Sequence, residues 1–366
     1  MRGRSPQTAP RIPSIREFEV DLLAIALAVA AVVVPIPQDW IENVYTNSTF
    51  AALNHAFVSI TNVVPVSVGD VEAIVAIVVL IVAWVGSLSA VPHWERGRTA
   101  LRMSVHTLGW IAFLVIAFEL LWGWNYRRET VSQRIVYDAS TVTDAAVAAF
   151  SQRIVDTLNR EVGPAHAENK LDRQKLAVAF LPLVGRLGDD WNVTLTEPKA
   201  TLLEPYYEAA GIGGQYSPFS FETLLNTSFL PFEVPRALAH EWAHVAGFTD
   251  EGDANYIGTL ACLRSDDPLI QYSGAFWTYD ELPEAQRLRL KLDPRVVADF
   301  KASRIRFARH YIPAIFSFQW QLYDRYLRSS GVRGGVASYG FFLRLLVGSQ
   351  LDSQGLPLVK RMQRAS

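Results

Sequence analysis

A mainly α protein with a small β component (α+β) is expected from three features of the sequence. Three apolar runs of membrane-spanning length follow one another near the N-terminus. A short helical stretch carries two histidines four residues apart. A Gly-rich, then alternating, segment precedes that stretch. Half of the 366 residues are apolar and only 19% are charged, a balance that membrane segments account for. The expected organisation is a cytoplasmic tail over 1–19, a three-helix transmembrane region over 20–128, and a mostly helical extracytoplasmic domain over 129–366. The net charge of -2 and the lack of a basic stripe interleaved with aromatics argue against a nucleic-acid partner. A single cysteine, Cys262, rules out an internal disulfide and any cysteine-based zinc cluster; between Ala261 and Leu263 it reads as a core residue.

The first apolar run, Leu22 to Ile36, follows a tail bearing Arg2, Arg4, Arg11 and Arg16. Pro35-Ile-Pro37 offers no small-residue cleavage site, so an uncleaved span is expected rather than a signal peptide. Ala73 to Val91 contains no charge, and Met103 to Tyr126 is interrupted only by Glu119, which is expected to pair inside the bundle or to sit near the interface. Orientation follows from the basic residues: the tail and the Arg96, Arg98, Arg102 connection are rich in them, whereas the loop over 37–72 has no Lys or Arg. That asymmetry sets the tail inside and both the 37–72 loop and the C-terminal domain outside, with Arg127 and Arg128 pulling the other way.

Beyond residue 130 the spacing changes. Thr143 to Val162 has apolar residues at helical intervals and is expected to end at Gly163-Pro164; Lys170 to Leu187 is a second helix, kinked or ended at Pro182. Asp190 to Leu203 alternates Trp191, Val193 and Leu195 before Pro198, which predicts a strand and a turn. Gly211 to Asn226 is Gly-rich and then β-like, either a surface hairpin or an exposed edge for an extended peptide. Asp293 to Arg328 reads as one long helix with Phe300, Phe307, Ile315, Phe318, Leu322 and Tyr326 inward.

The chemistry-bearing stretch runs from Pro235 to Asn255. His240 and His244 project from one helix face with Glu241 beside them, the H-E-x-x-H pattern in which two imidazoles bind Zn2+ and the carboxylate acts on water. Pro235 marks a helix start and Gly247 a helix end. The neighbours are apolar, so the three polar groups are buried anomalies; a core helix with two satisfied histidines would leave Glu241 unexplained. A hydrolytic zinc needs a third protein ligand. Asp250 lies where some metallopeptidases place a third His after the glycine turn. Glu251 opens Glu251-Gly-Asp253-Ala254-Asn255, which resembles the E-x-x-A-D element of gluzincin metallopeptidases, where the Glu binds zinc and the residue four later bonds a ligand His. Glu251 is preferred, and Asp253 reads as a solvated first-turn acid. Tyr272, His310, Tyr323 and Tyr339 are candidate oxyanion donors, each weighed against a plain packing role.

The sequence resembles a family of bacterial membrane proteins with three N-terminal spans and an H-E-x-x-H domain, described as membrane-bound metallopeptidases. The likeness is carried by Pro65 to Asp70, Trp122 to Tyr126, Gly214 to Phe219, His240 to Asn255, Tyr272 to Gly274, Tyr323 to Leu327 and Gly335 to Tyr339. The resemblance implies a zincin-like, gluzincin-type domain in a bacterial inner membrane, with His240, His244 and Glu251 as zinc ligands and Glu241 as general base. Peptides or proteins, membrane or envelope proteins among them, are the expected substrates, and the lipid bilayer the expected partner. The rival expectation is a non-catalytic membrane protein that uses the same zinc for structure or sensing.

Overall fold

Long apolar runs bounded by charge or proline become helices because a helix satisfies its own backbone where water is scarce. The computed structural model describes residues 15–188, 191–330 and 341–360; Arg2, Arg4, Arg11, Asp190 and the Gly335 to Tyr339 stretch lie outside the described residues. The fold is mainly helical with one three-stranded sheet. Among the described residues two helices, Val68–Ser89 and Arg96–Leu121, are long and apolar enough to cross a membrane. A third qualifies if Arg16–Val33 and Gln38–Thr61, bent by 105° at their junction, are taken as one span.

The chain divides into two compact units. One comprises the chain up to Pro35 together with Ala73–Leu120. Within it Asp21 Oδ2 lies 2.8 Å from His106 Nδ1, and Trp84 donates to Thr107 Oγ1 at 3.0 Å, so polar side chains inside apolar helices pair with one another. The third run forms Arg96–Leu121 rather than Met103 to Tyr126: the arginines ahead of it are good helix formers, and Trp122 opens a separate turn.

The other unit comprises Ile36–Glu72 and Leu121–Ser366. The 37–72 segment, read from the sequence as a loop, is largely helical over Gln38–Thr61, and Ile41, Tyr45, Phe50 and Val58 are buried. It is held by charge as well: buried Glu42 accepts from Arg128 Nε at 3.3 Å and from Arg134. Asp144–Glu168 overruns Gly163-Pro164, and Arg173–Arg186 runs through Pro182. Packing overrides the proline in both: Ile154, Leu158, Val162 and Ala165 are buried on the first helix, which lies against Pro268–Glu281, and Leu176, Phe180, Leu183 and Val184 on the second, which lies against Glu251–Leu263. The strand expected over Trp191, Val193 and Leu195 does not form, Trp191 packing edge-on to Phe50 instead, and the short strand β1, Pro198–Lys199, stands at the expected turn. β2, Gly214–Ser217, and β3, Glu222–Leu225, make the expected hairpin. The sheet order is β1-β3-β2, with β1 parallel and β2 antiparallel to β3, which leaves β2 at an edge. The long C-terminal helix is broken at Pro313 into Pro294–His310 and Pro313–Ser329, since the residue before a proline is driven out of the helical region. Phe300 is buried, but Phe307, Phe318 and Leu322 are exposed, contrary to the inward face expected for them.

Candidate metal centre

The histidine helix, Val234–Val245, begins with Pro235 in its first turn and is stopped by Gly247 at φ +83°, a backbone region that costs any residue with a Cβ. Every side chain from Pro235 to Val245 is buried. Its last carbonyls would be orphaned in such a setting. Three distant side chains take them: Trp122 donates to His244 O at 3.1 Å, Asn54 to Val245 O at 3.3 Å, and Arg128 to Ala246 O at 3.1 Å. Arg128 also lies over the Phe248 ring. The turn after the helix is thereby fixed, and Phe248 O accepts from His244 Nδ1 at 2.7 Å, which leaves Nε2 of that imidazole unprotonated in its neutral form.

Asp250 starts the next helix, Glu251–Leu263, by accepting from the backbone N–H of Gly252 at 2.8 Å and of Asp253 at 3.1 Å. That cap engages one Asp250 oxygen at the helix start. Glu251, in the first turn, is the acid that reaches the histidines: its Oε2 is 3.1 Å from His240 Nε2 and 3.6 Å from His244 Nε2. One ligand atom from each of the three residues lies within 4.8 Å of the others. Ligands about 2.0–2.2 Å from a tetrahedral ion stand about 3.3–3.6 Å apart, so the two distances from Glu251 fit a zinc-sized cation. Glu251 Oε2 is buried and without a hydrogen-bond partner, while Oε1 accepts from the Tyr323 hydroxyl. A buried carboxylate oxygen turned to two imidazole nitrogens is a donor set that fits a divalent cation.

The two helices approach so closely that a Cβ on Gly258 would stand 2.8 Å from His240 N. Arg236, one turn before His240, joins them by donating to Asn255 Oδ1 at 2.5 Å. Asn255 was expected to bond a ligand histidine; its oxygen is taken by Arg236, and His240 Nδ1 has no partner. Asp253, expected in solvent, is buried and accepts from Val131 N–H at 2.9 Å. Burial, then the neighbouring Asp250, pushes its carboxyl up to about 8.

Glu241 is buried one residue from His240, and burial pushes its carboxyl up to about 7, with Glu251 adding to the rise and His244 opposing it. Gly214 of β2 lies so near that a Cβ there would come within 2.7 Å of Glu241 Oε1. Residues 213 and 226 share a ladder bond at 2.8 Å, so alternation turns the peptide groups of Gly214 and Tyr216 to the free edge, and the Tyr216 N–H serves Glu241. Burial lowers His240 to about 4. It also works against charge on His244, but the Glu251 carboxylate overrides it and raises that imidazole to about 9. Burial likewise opposes charge on Glu251, and the His244 imidazolium overrides it, holding the carboxyl well below its usual range. Of the oxyanion candidates, Tyr339 lies outside the described residues, Tyr272 donates to Asp299 at 2.5 Å and exposed His310 stands 3.9 Å from Glu208; among the described residues only Tyr323 reaches the centre.

A family model described as "Protein of unknown function (DUF3810)" matches residues 45–347. The chain belongs to this family. No curated protein and no solved structure matches it. The matched span of this DUF3810 member contains the helix over 51–61, both long apolar helices, the edge strand and the whole His240, His244, Glu251 cluster. Trp122, Arg128, Gly214 and Gly258 shape the centre, yet the sequence marks the first and third only as part of the family likeness, Arg128 only as an orientation charge and Gly258 not at all, because their partners are far along the chain and no local period links them.

Proposed function

We propose that the protein is a membrane-anchored zinc metallopeptidase whose domain lies outside the cytoplasm. The observation that carries this reading is the convergence of His240, His244 and Glu251 with Glu241 alongside. Among the described residues the cluster offers three ligand groups, and a structural zinc is normally closed by four, so the donor set favours a catalytic site over a structural one. A bound zinc would acidify water and polarise a carbonyl. Glu241, near neutrality by burial, takes the proton from the attacking water and returns it to the leaving amine nitrogen. The outer edge of β2 at the Gly214 peptide group suits an extended peptide laid beside Glu241, the Tyr216 N–H being already given to that carboxyl.

The anchor is supported by connectivity. Residues 36–72 and 121–366 form one body, so they share a side of any membrane; the two long apolar helices between them cross out and back. The scarcity of basic residues over 37–72 favours the outer side. The test is the full chain in detergent, with zinc measured by elemental analysis and cleavage of a peptide library followed for the native sequence and Glu241→Gln. Zinc retained with cleavage lost in Glu241→Gln is expected. Zinc bound by a native chain that cleaves nothing would leave a binding protein, and no bound metal would overturn both readings.

A further inference from the structure

We propose that the outward face of the helix Pro313–Ser329, with the turn that precedes it, docks on an anionic lipid surface. The proposal rests on the membrane-anchored part of the reading above and not on its chemistry. The inward face of this helix is engaged: Tyr323 donates to Glu251, Tyr206 donates to Gln319, and the N–H of Ile312 just ahead donates to Ala209 O at 3.1 Å. The outward face repeats Ala314, Phe318 and Leu322 at intervals of four, and Phe318 and Leu322 are 65% and 53% exposed. Large aromatic and aliphatic groups left in water on a stable helix call for a cover.

The charge around them indicates its chemistry. From Pro294 to Ser329 the sequence holds seven Lys or Arg against two acids. Three of the seven are already paired, Arg295 with Asp293, Arg306 with Glu233 and Arg328 with Asp324, and Asp299 is buried against Tyr272; the cations that remain to face outward are the other four. Lys301, Arg304, Arg309 and Arg325 are exposed. On this helix exposed Arg325 lies one turn beyond Leu322 on the side of the apolar stripe, and the helix before it adds Lys301, Arg304 and Arg309; an apolar stripe with a cation at its end suits a headgroup layer, where a long arginine stem buries its methylenes and reaches phosphate. The same helix carries Tyr323, so docking would hold Glu251 and the histidines about one helix diameter, roughly 10 Å, from the lipid. The substrates implied are peptide segments at the bilayer surface.

The experiment places one environment-sensitive fluorophore on the full chain in nanodiscs. Cys262 is fully buried, so Phe318→Cys, Leu322→Cys or a control, Val178→Cys on the exposed side of Arg173–Arg186, takes the label alone. The discs contain brominated phosphatidylcholine with or without phosphatidylglycerol. Quenching at 318 and 322 several-fold stronger than at 178, weakened when phosphatidylglycerol is omitted or when Arg325→Gln is added, is the expected result. Quenching at 318 and 322 no stronger than at 178 overturns the proposal. So does blue-shifted but unquenched emission, which would mean that protein covers the face. Carbonate extraction reads the anchor separately: a chain retained in membranes with 318 unquenched keeps the spans and loses the docking, and a chain released by carbonate with 318 quenched does the reverse.

Discussion

The two oxygens of Glu251 have different work. Oε2 is turned, unpartnered, to the histidines, and Oε1 accepts from Tyr323, so the hydroxyl restricts how the carboxylate can rotate. Tyr323→Phe is expected to lower zinc affinity by about 10–100-fold, measured by chelator competition, with the melting of the metal-free protein little changed. A change confined to melting would reduce Tyr323 to packing. The imidazole of His244 sets a pH dependence whose sign is fixed. Raised from 6.5 to about 9 in the fold, it lends the metal-free chain stability that is present below its unfolded value and lost as pH rises through about 9. Zinc needs the neutral ring, so affinity should climb by about tenfold per pH unit below that value. Affinity flat between pH 6 and 8 would contradict the charged His244. The two histidines are readable from spacing, since four residues make about one helical turn, whereas Glu251 is preferred over Asp250 through the likeness of its E-x-x-A-N element. Tyr323, 72 residues from Glu251, was legible only as one aromatic among several.

The histidine helix and the glutamate helix cross where glycine allows it. Gly258→Val would thrust side-chain atoms against the backbone of Ala239 and His240, which cannot yield as a side chain would. A loss of about 1–3 kcal/mol in urea unfolding is expected, together with weaker zinc binding, because the crossing sets the distance from Glu251 to the imidazoles. Unchanged zinc affinity in a folded variant would show that the ligand spacing does not depend on the crossing. The hydrophobic period identified most helices of this domain and misjudged where several of them stop. Pro164 is expected to end one helix and Pro182 to kink or end another, and both lie inside helices, whereas Pro313, within the single long helix expected, divides it. In the first two cases buried faces on both sides of the proline hold the helix together; at Pro313 the flanking residues Ile312 and Ala314 are exposed, and nothing opposes the break.

Across the whole molecule, the segment before the second apolar helix belongs to the same body as the metal centre. Asn54 caps the histidine helix, and Glu42 holds the arginine that lies over Phe248. Cysteines introduced at Val63 and Val178 should therefore react with a membrane-impermeant maleimide from the same side of the membrane. One at Trp94, in the connection between the long helices, should react only from the other side. Labelling of all three from one side would remove the two crossings.

Local order in the chain was enough to mark the apolar helices, the edge hairpin before the motif, and the two histidines with Glu241 and Glu251, because each depends on neighbours within a turn or two and on the period of a helix or strand. Folding alone settled that 37–72 is part of the domain, that Asp253 is buried, that Asn255 serves Arg236, and that Tyr323 rather than Tyr272 meets Glu251. These pairings join residues far apart in the chain, where the choice among partners rests on burial and on which buried polar groups would otherwise go unsatisfied, and no periodicity records that choice.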